Sequence, residues 1–250
     1  MKKKMNEKIK QIIKNKHRRL IAYTLLTVLG LAQPVLAGGK DDPLLSKVMI
    51  DQLELRDADD SNPLVLEGQA WLGKDLHKLW LKADVERVAG ETEELELQAL
   101  YSQAIAPYWD LQVGLRQDSK PTPSRSWAVL GLQGLAPYFF EVDSALFIGE
   151  GGRTALRVQV EYELLFTQQL ILSSELEANF YGQNDSNLGI GSGLSDLQAG
   201  LRLRYEIRRE FAPYIGINWQ KSYGNSAGYA RKAGHDVQDT QWVLGIRAWF

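Results

Sequence analysis

The sequence predicts an all-β fold: a transmembrane, antiparallel, up-and-down β-barrel of about twelve strands, preceded by a cleaved signal peptide. Three observations predict it. The N-terminal segment is basic and then apolar. The rest of the chain breaks into runs about ten residues long with two-residue alternation, the length and period of a membrane strand. A last alternating run, Trp242 to Phe250, ends on an aromatic residue.

The N-terminal segment has the three parts of an export signal. Lys2, Lys3, Lys4, Lys8, Lys10, Lys14, Lys16, Arg18 and Arg19 form a long positive stretch. Leu20 to Ala32 is an apolar core, too short to cross a bilayer as a helix, which argues against the alternative of an N-terminal anchor. Pro34 breaks this core, and Val35-Leu36-Ala37 supplies a small-residue cleavage site. The expected organisation is a signal peptide over 1–37, a short segment over 38–46 and the barrel over 47–250. After Ala37 no run approaches the length of a membrane helix, so the exported part is either a periplasmic protein or a barrel.

Charge and cysteine content narrow the function classes. Residues 1–37 hold nine of the 29 lysines and arginines but one of the 31 acids, which leaves 20 basic against 30 acidic residues over 38–250. A body this acidic disfavours nucleic acid as a partner and attracts cations. The absence of cysteine removes disulfides, thiolate nucleophiles and Cys-based metal sites.

The strands are expected near 47–56, 64–73, 79–88, 92–104, 109–117, 126–135, 138–148, 154–165, 170–181, 195–208, 211–221 and 239–250. In the second, Leu64, Leu66, Ala70 and Leu72 alternate with Val65, Glu67, Gln69 and Trp71. In the third, Leu79, Leu81, Ala83 and Val85 alternate with Trp80, Lys82, Asp84 and Glu86. In the eighth, Leu156, Val158, Val160, Tyr162 and Leu164 oppose Arg157, Gln159, Glu161 and Glu163. Trp242, Leu244, Ile246, Ala248 and Phe250 share one face of the last. A helix would space its apolar residues by three and four. The first strand has the weakest pattern.

The connections agree with a membrane barrel. Connections near 57–63, 89–91, 118–125, 149–153, 182–194 and 222–238 fall on one side and those near 74–78, 105–108, 136–137, 166–169 and 209–210 on the other, so most of the long ones share a side. Outer-membrane barrels have short periplasmic turns and longer external loops. Ala106-Pro107-Tyr108, Ala136-Pro137-Tyr138 and Ala212-Pro213-Tyr214 all fall on the short-turn side, and their tyrosines are expected at headgroup level as part of an aromatic girdle. A soluble sandwich or lipocalin-like barrel, the competing fold, has no reason to put aromatic turns on one rim.

If the apolar face meets lipid, the polar face lines a lumen. That face carries Glu54, Glu67, Asp84, Glu86, Glu94, Glu96, Glu161, Glu163, Glu175 and Glu177, opposed by Arg116, Arg157, Arg202 and Arg204. The plain reading is a lumen that satisfies its own charge; the sharper one is a cation path. Glu161, Glu163, Glu175 and Glu177 lie on neighbouring strands and are the leading candidates to hold a metal ion. His77, two residues after Asp75 in an expected turn, and Met49 are weaker candidates. Carboxylates and imidazole bind Cu(II) and other divalent ions without selectivity. Enzymatic signatures are poor: His77 and His235 lie outside the strand interiors, and Gly189 to Gly193 lacks the strand-to-helix context and lysine of a phosphate loop.

Four stretches are familiar: Glu67–Gly73 (EGQAWLG), Trp127–Asp143 (WAVLGLQGLAPYFFEVD), Gly191–Asp196 (GSGLSD) and Leu201–Tyr214 (LRLRYEIRREFAPY). They resemble the copper resistance protein B family, and the likeness spans 47–250. The resemblance implies an outer-membrane barrel of bacterial copper tolerance, with outer-membrane lipid around it, copper ions bound or transported rather than used catalytically, and a periplasmic multicopper oxidase as a partner. Family members commonly carry a Met- and His-rich segment before the barrel; here Gly38 to Ser46 is expected to separate the cleavage site from the first strand, which shifts attention to the lumen. Two alternatives stand beside a copper-binding or copper-passing barrel: a structural or docking barrel for the oxidase, and a barrel enzyme.

Overall fold

A computed structural model describes residues 42–58 and 62–250. The proposed signal peptide, 1–37, lies outside the described residues. Twelve antiparallel strands close into one barrel, each beside its neighbour in sequence, with the last paired to the first. They are β1 (Leu45–Asp57), β2 (Leu64–Gly73), β3 (His77–Val88), β4 (Glu91–Ala106), β5 (Trp109–Lys120), β6 (Arg125–Ala136), β7 (Phe140–Gly149), β8 (Thr154–Leu165), β9 (Leu170–Tyr181), β10 (Gly193–Tyr205), β11 (Phe211–Ser222) and β12 (Gln238–Trp249). The seam is made by β1 and β12 in register from Met49↔Trp249 to Asp57↔Trp242, and Phe250 extends it by exchanging backbone hydrogen bonds with Val48 at 2.8 and 3.0 Å.

The alternation sorts the side chains as the sequence implies. Leu79, Leu81, Leu115, Ile215, Trp242 and Leu244 are all exposed on the outer face. A water-facing surface would not expose a band of this size. The charged and amide side chains turn inward, where many are buried: Glu54, Glu96, Gln112, Arg116, Arg202 and Arg204 are among the most enclosed groups in the molecule. The sidedness of the connections also holds, with the long ones at one end and the turns after β2, β4, β6, β8 and β10 at the other.

Three local features depart from the expectation, each for a physical reason. First, β1 carries a bulge at Asp51: Ile50 pairs with Gly68 and Gln52 with Glu67, which leaves Asp51 as the extra residue. A bulge shifts the side-chain parity by one. Lys47, Met49 and Asp51 therefore face the lumen before it, and Gln52 after it. The same shift is why the sequence of β1 shows no clean alternation.

Second, the three Ala-Pro-Tyr tripeptides are not equivalent. Tyr108 and Tyr138 sit at turn tips with φ of 67°, 77% and 84% exposed, as rim residues should be. Tyr214 does not join them. The preceding turn, Arg208 to Glu210, has already closed, so Ala212-Pro213-Tyr214 lies inside β11 and Tyr214 points into the lumen, 4% exposed. Its ring lies against Gly245 of β12, where a Cβ would clash with it.

Third, the long connection after β11 contains a helix, α1 (Gly224–Ala233), where a loop is expected. It ends on Gly234, whose φ of 80° suits a left-handed cap, and buries Ser226 and Ala227. Ser226 Oγ lies 2.8 Å from Ser195 Oγ and accepts from the Gly191 N–H at 2.7 Å, which fastens the helix to the β9–β10 connection.

Candidate functional site

The lumen is the candidate site, and its two walls differ. Trp80, Leu100, Val129 and Phe147 form an apolar wall, all buried and packed together. They occupy inward positions because they share parity with the charged residues of the same strands. The facing wall, carried by β8 to β12 and β1, is ionic.

On that wall the four leading glutamates do come together on two adjacent strands. Glu161 of β8 stands opposite Glu175 of β9, Glu163 opposite Ser173, and Glu177 opposite Gln159. Their surroundings divide them. Glu163 pairs with Arg204 and Arg247, both at 2.9 Å. Glu175 pairs with Arg202 at 2.8 Å and accepts from Gln159 at 2.6 Å and Gln52 at 2.9 Å. Glu177 accepts from Asn179 at 2.7 Å, with Arg157 3.6 Å away. Glu161 alone among the four makes no ion pair or side-chain hydrogen bond among the described residues. Its other neighbour, Glu141 on β7, is equally free, so Glu141, Glu161 and Glu175 form a row across three strands. A second pair without ion partners among the described residues, Glu67 and Asp84, stands in register across β2 and β3.

Met49 lines the same lumen cavity as Glu161, Glu175 and Asp51. His77 does not. It shares parity with Leu79 and Leu81, so it faces outward; its ring stacks on Tyr101 with centroids 5.9 Å apart, and Nδ1 lies 2.7 Å from the Tyr101 hydroxyl. It belongs to the aromatic rim and not to the acidic wall. Among the described residues no three His, Asp or Glu side chains converge tightly enough to hold a metal ion in a closed cage.

The lumen holds more cations than the four arginines named from the sequence. Besides Arg157, Arg202 and Arg204, the cations Lys47, Lys82 and Arg247 line the cavity, and outside it Arg56 pairs with Glu54 at 2.9 Å. The cavity is thus bordered by seven carboxylates and six cations, close to balance. Lys82 stands between Trp80 and Asp84 in the alternation of β3 and was legible; Lys47 and Arg247 were hidden by the bulge and the seam.

Several ion pairs cross the lumen. Lys82 of β3 reaches Asp143 of β7 at 2.6 Å. Arg157 of β8 forks onto both oxygens of Glu96 on β4, at 3.2 and 3.0 Å, and Glu96 also holds Arg116 at 2.7 Å. Fully buried Glu54 of β1 holds Arg202 of β10, Arg56 and the Tyr214 hydroxyl, the last at 3.0 Å. In these pairs each buried charge has a partner of opposite sign, which is what makes its desolvation tolerable.

A closed twelve-strand barrel with an apolar exterior, short turns at one end and an ionic lumen defines an outer-membrane barrel of a Gram-negative bacterium. Its fold is similar to a solved NanC porin, with a TM-score of 0.52 at 10% identity over 82% of this chain and 99% of that one. Residues 44–250 match the family model described as Copper resistance protein B precursor (CopB), and the chain belongs to that family. It is 46% identical to copper resistance protein B of Escherichia coli over 203 residues, 81% of this chain and 69% of that protein. It is likewise 46% identical to the copper resistance protein B homolog of Pseudomonas syringae pv. tomato over 210 residues, 84% of this chain and 71% of that one.

Proposed function

We propose that this barrel serves copper resistance by binding copper ions weakly along its lumen and passing them, and that residues 1–37 direct its export. The observation that carries the reading is the row Glu141–Glu161–Glu175, two of whose carboxylates have no cationic partner among the described residues although cations line the same cavity. Free carboxylates spread along a wall suit transit better than storage, because conduction needs sites that release as readily as they bind. Met49 adds a thioether to the same cavity, a soft ligand that suits Cu(I), while the carboxylates suit Cu(II). Glu67 and Asp84 extend the series on the other side of the lumen. Family and fold together favour a non-enzymatic barrel.

The test is copper binding to purified barrel carrying Glu161→Gln, against Glu163→Gln. The first should lower copper loading with little change in stability. The second should lower stability, since it breaks the pairs to Arg204 and Arg247, with less effect on loading. Equal loading by wild type and a Glu141→Gln/Glu161→Gln double variant would sink the proposal.

A second reading is favoured by the cross-lumen pairs: a closed barrel that docks a periplasmic multicopper oxidase and transports nothing. Co-purification with such an oxidase, together with unaltered copper content in a deletion strain, would favour it.

A further inference from the structure

The lumen is not a uniform tube. A cavity of about 580 Å³ occupies its short-turn half. It is bordered at that end by Lys47 near the start of β1, Leu135 near the end of β6, Glu141 at the start of β7 and Arg247 near the end of β12. Toward the long-loop end it stops at Phe147 and Arg157, while Glu96 and Arg116 lie behind them and outside it. Beyond that roof, α1 and the β9–β10 connection are hydrogen-bonded to one another, and Arg125 of β6 holds Asp185 of that connection at 2.7 Å.

The roof is built on one ring and one fork. The guanidinium groups of Arg116 and Arg157 lie 4.5 and 5.8 Å from the centroid of Phe147, which is 1% exposed. Arg157 then reaches across four strands to Glu96. A second partner already waits on its own side: Glu177, on the adjacent strand, is 3.6 Å from Arg157 Nε. If Arg157 lets go of Glu96, that carboxylate keeps Arg116 at 2.7 Å and Gln98 at 2.7 Å. Neither Arg157 nor Glu96 is left without a counter-charge in either arrangement, which lowers the cost of passing between them.

We infer that the resting barrel is a cup open to the periplasm, and that Arg157 is the latch of its roof. This rests on the lumen's side-chain geometry and, for passage, on the proposed transport role, whatever the cargo is. Releasing the Arg157–Glu96 fork, with the arginine swinging to Glu177, joins the cup to the outer half of the lumen. Cargo is thereby loaded from the periplasmic side, and the latch is the step at which passage is controlled.

Two measurements test it, each on the full barrel. In planar bilayers the wild type should be silent or nearly so, Arg157→Ala should show discrete conductance steps, and Arg157→Lys, which keeps the charge but loses the fork, should show briefer openings. Folding of each variant is checked first by heat-modifiable migration. Steady wild-type conductance equal to that of Arg157→Ala, or a folded but silent Arg157→Ala, overturns the latch. The chain has no cysteine, so Gln133→Cys, on the cavity wall, gives a single reporter thiol. A bulky impermeant maleimide should label it in spheroplasts and not in intact cells. Labelling of intact cells, or no labelling in either, overturns the periplasmic cup.

Discussion

Glu54 is one of the nodes where the lumen's polar chemistry concentrates. It is fully buried, and its two oxygens accept from Arg56, Arg202 and Tyr214. Truncating it leaves the buried Arg56 guanidinium without its counter-charge and Arg202 with Glu175 alone. Glu54→Ala should therefore cost about 3–5 kcal/mol, the usual penalty for breaking a buried pair from one side. Tyr214→Phe removes one donor to a charged acceptor and should cost about 1.5–3 kcal/mol. Urea unfolding in detergent micelles reads both, and a Tyr214→Phe barrel as stable as wild type would show that the hydroxyl contributes nothing. Neither residue's role was legible from motif alone. Ala212-Pro213-Tyr214 repeats a rim tripeptide, and only the position of the preceding turn decides that this tyrosine faces inward. The setting of His77 depends on the same kind of fact: Asp75-x-His77 reads as a turn until parity with Leu79 and Leu81 puts the imidazole outside, against Tyr101.

At the scale of elements, two-residue alternation carried the reading, because each strand has one face in lipid and one in a polar lumen. The twelve strands follow from it, and so does a test. Leu81 points into lipid, 63% exposed, from the middle of β3. Leu81→Arg should destabilise the barrel in lipid by about 2–4 kcal/mol, the cost of a charge near the midplane of an outer-membrane barrel. A water-facing residue would tolerate the change. What alternation could not show was anything set by register between strands: the Asp51 bulge, the opposing of Glu161 by Glu175, and which arginine reaches which carboxylate. Nor does α1 announce itself, since its GNSAGYARKA sequence is small and polar and lacks an apolar stripe; only Arg231, Lys232 and Gly234 mark its end. The connection it fastens has its own pH signature. Burial pushes the Asp185 carboxyl up, but the hydrogen bond from Arg125 and the charges of Arg125 and Arg153 outweigh it and hold the group below the ordinary aspartate value. A depressed carboxyl stabilises above its unfolded value and loses that contribution as pH falls through its folded one. Protease cleavage within 182–192 should thus be constant from neutral pH down to about 5 and rise only below the ordinary aspartate pKa of about 3.9. Asp185→Asn should raise it at neutral pH and remove the further rise on acidification.

For the whole molecule the deciding quantity is the balance of charge around the cavity, and it argues against a strong cation field at rest. Seven carboxylates and six cations border the void, and one of those cations is the latch itself. Neutralising Arg157 both opens the roof and tilts the balance, leaving seven carboxylates against five cations. Rings of charge in a low-dielectric channel set ion selectivity through the field they focus. The Arg157→Ala barrel should therefore prefer cations, read as a reversal potential under a salt gradient. Adding Glu141→Gln and Glu161→Gln brings the count to five against five and should abolish the preference without closing the channel. Because these groups face water, the preference should also weaken with ionic strength, as the screening length falls from about 10 Å at 0.1 M to about 3 Å at 1 M salt. Cation preference that survives both the double substitution and high salt would locate the selecting charges elsewhere, in the outer half of the lumen where Glu86 and Glu94 oppose each other in register.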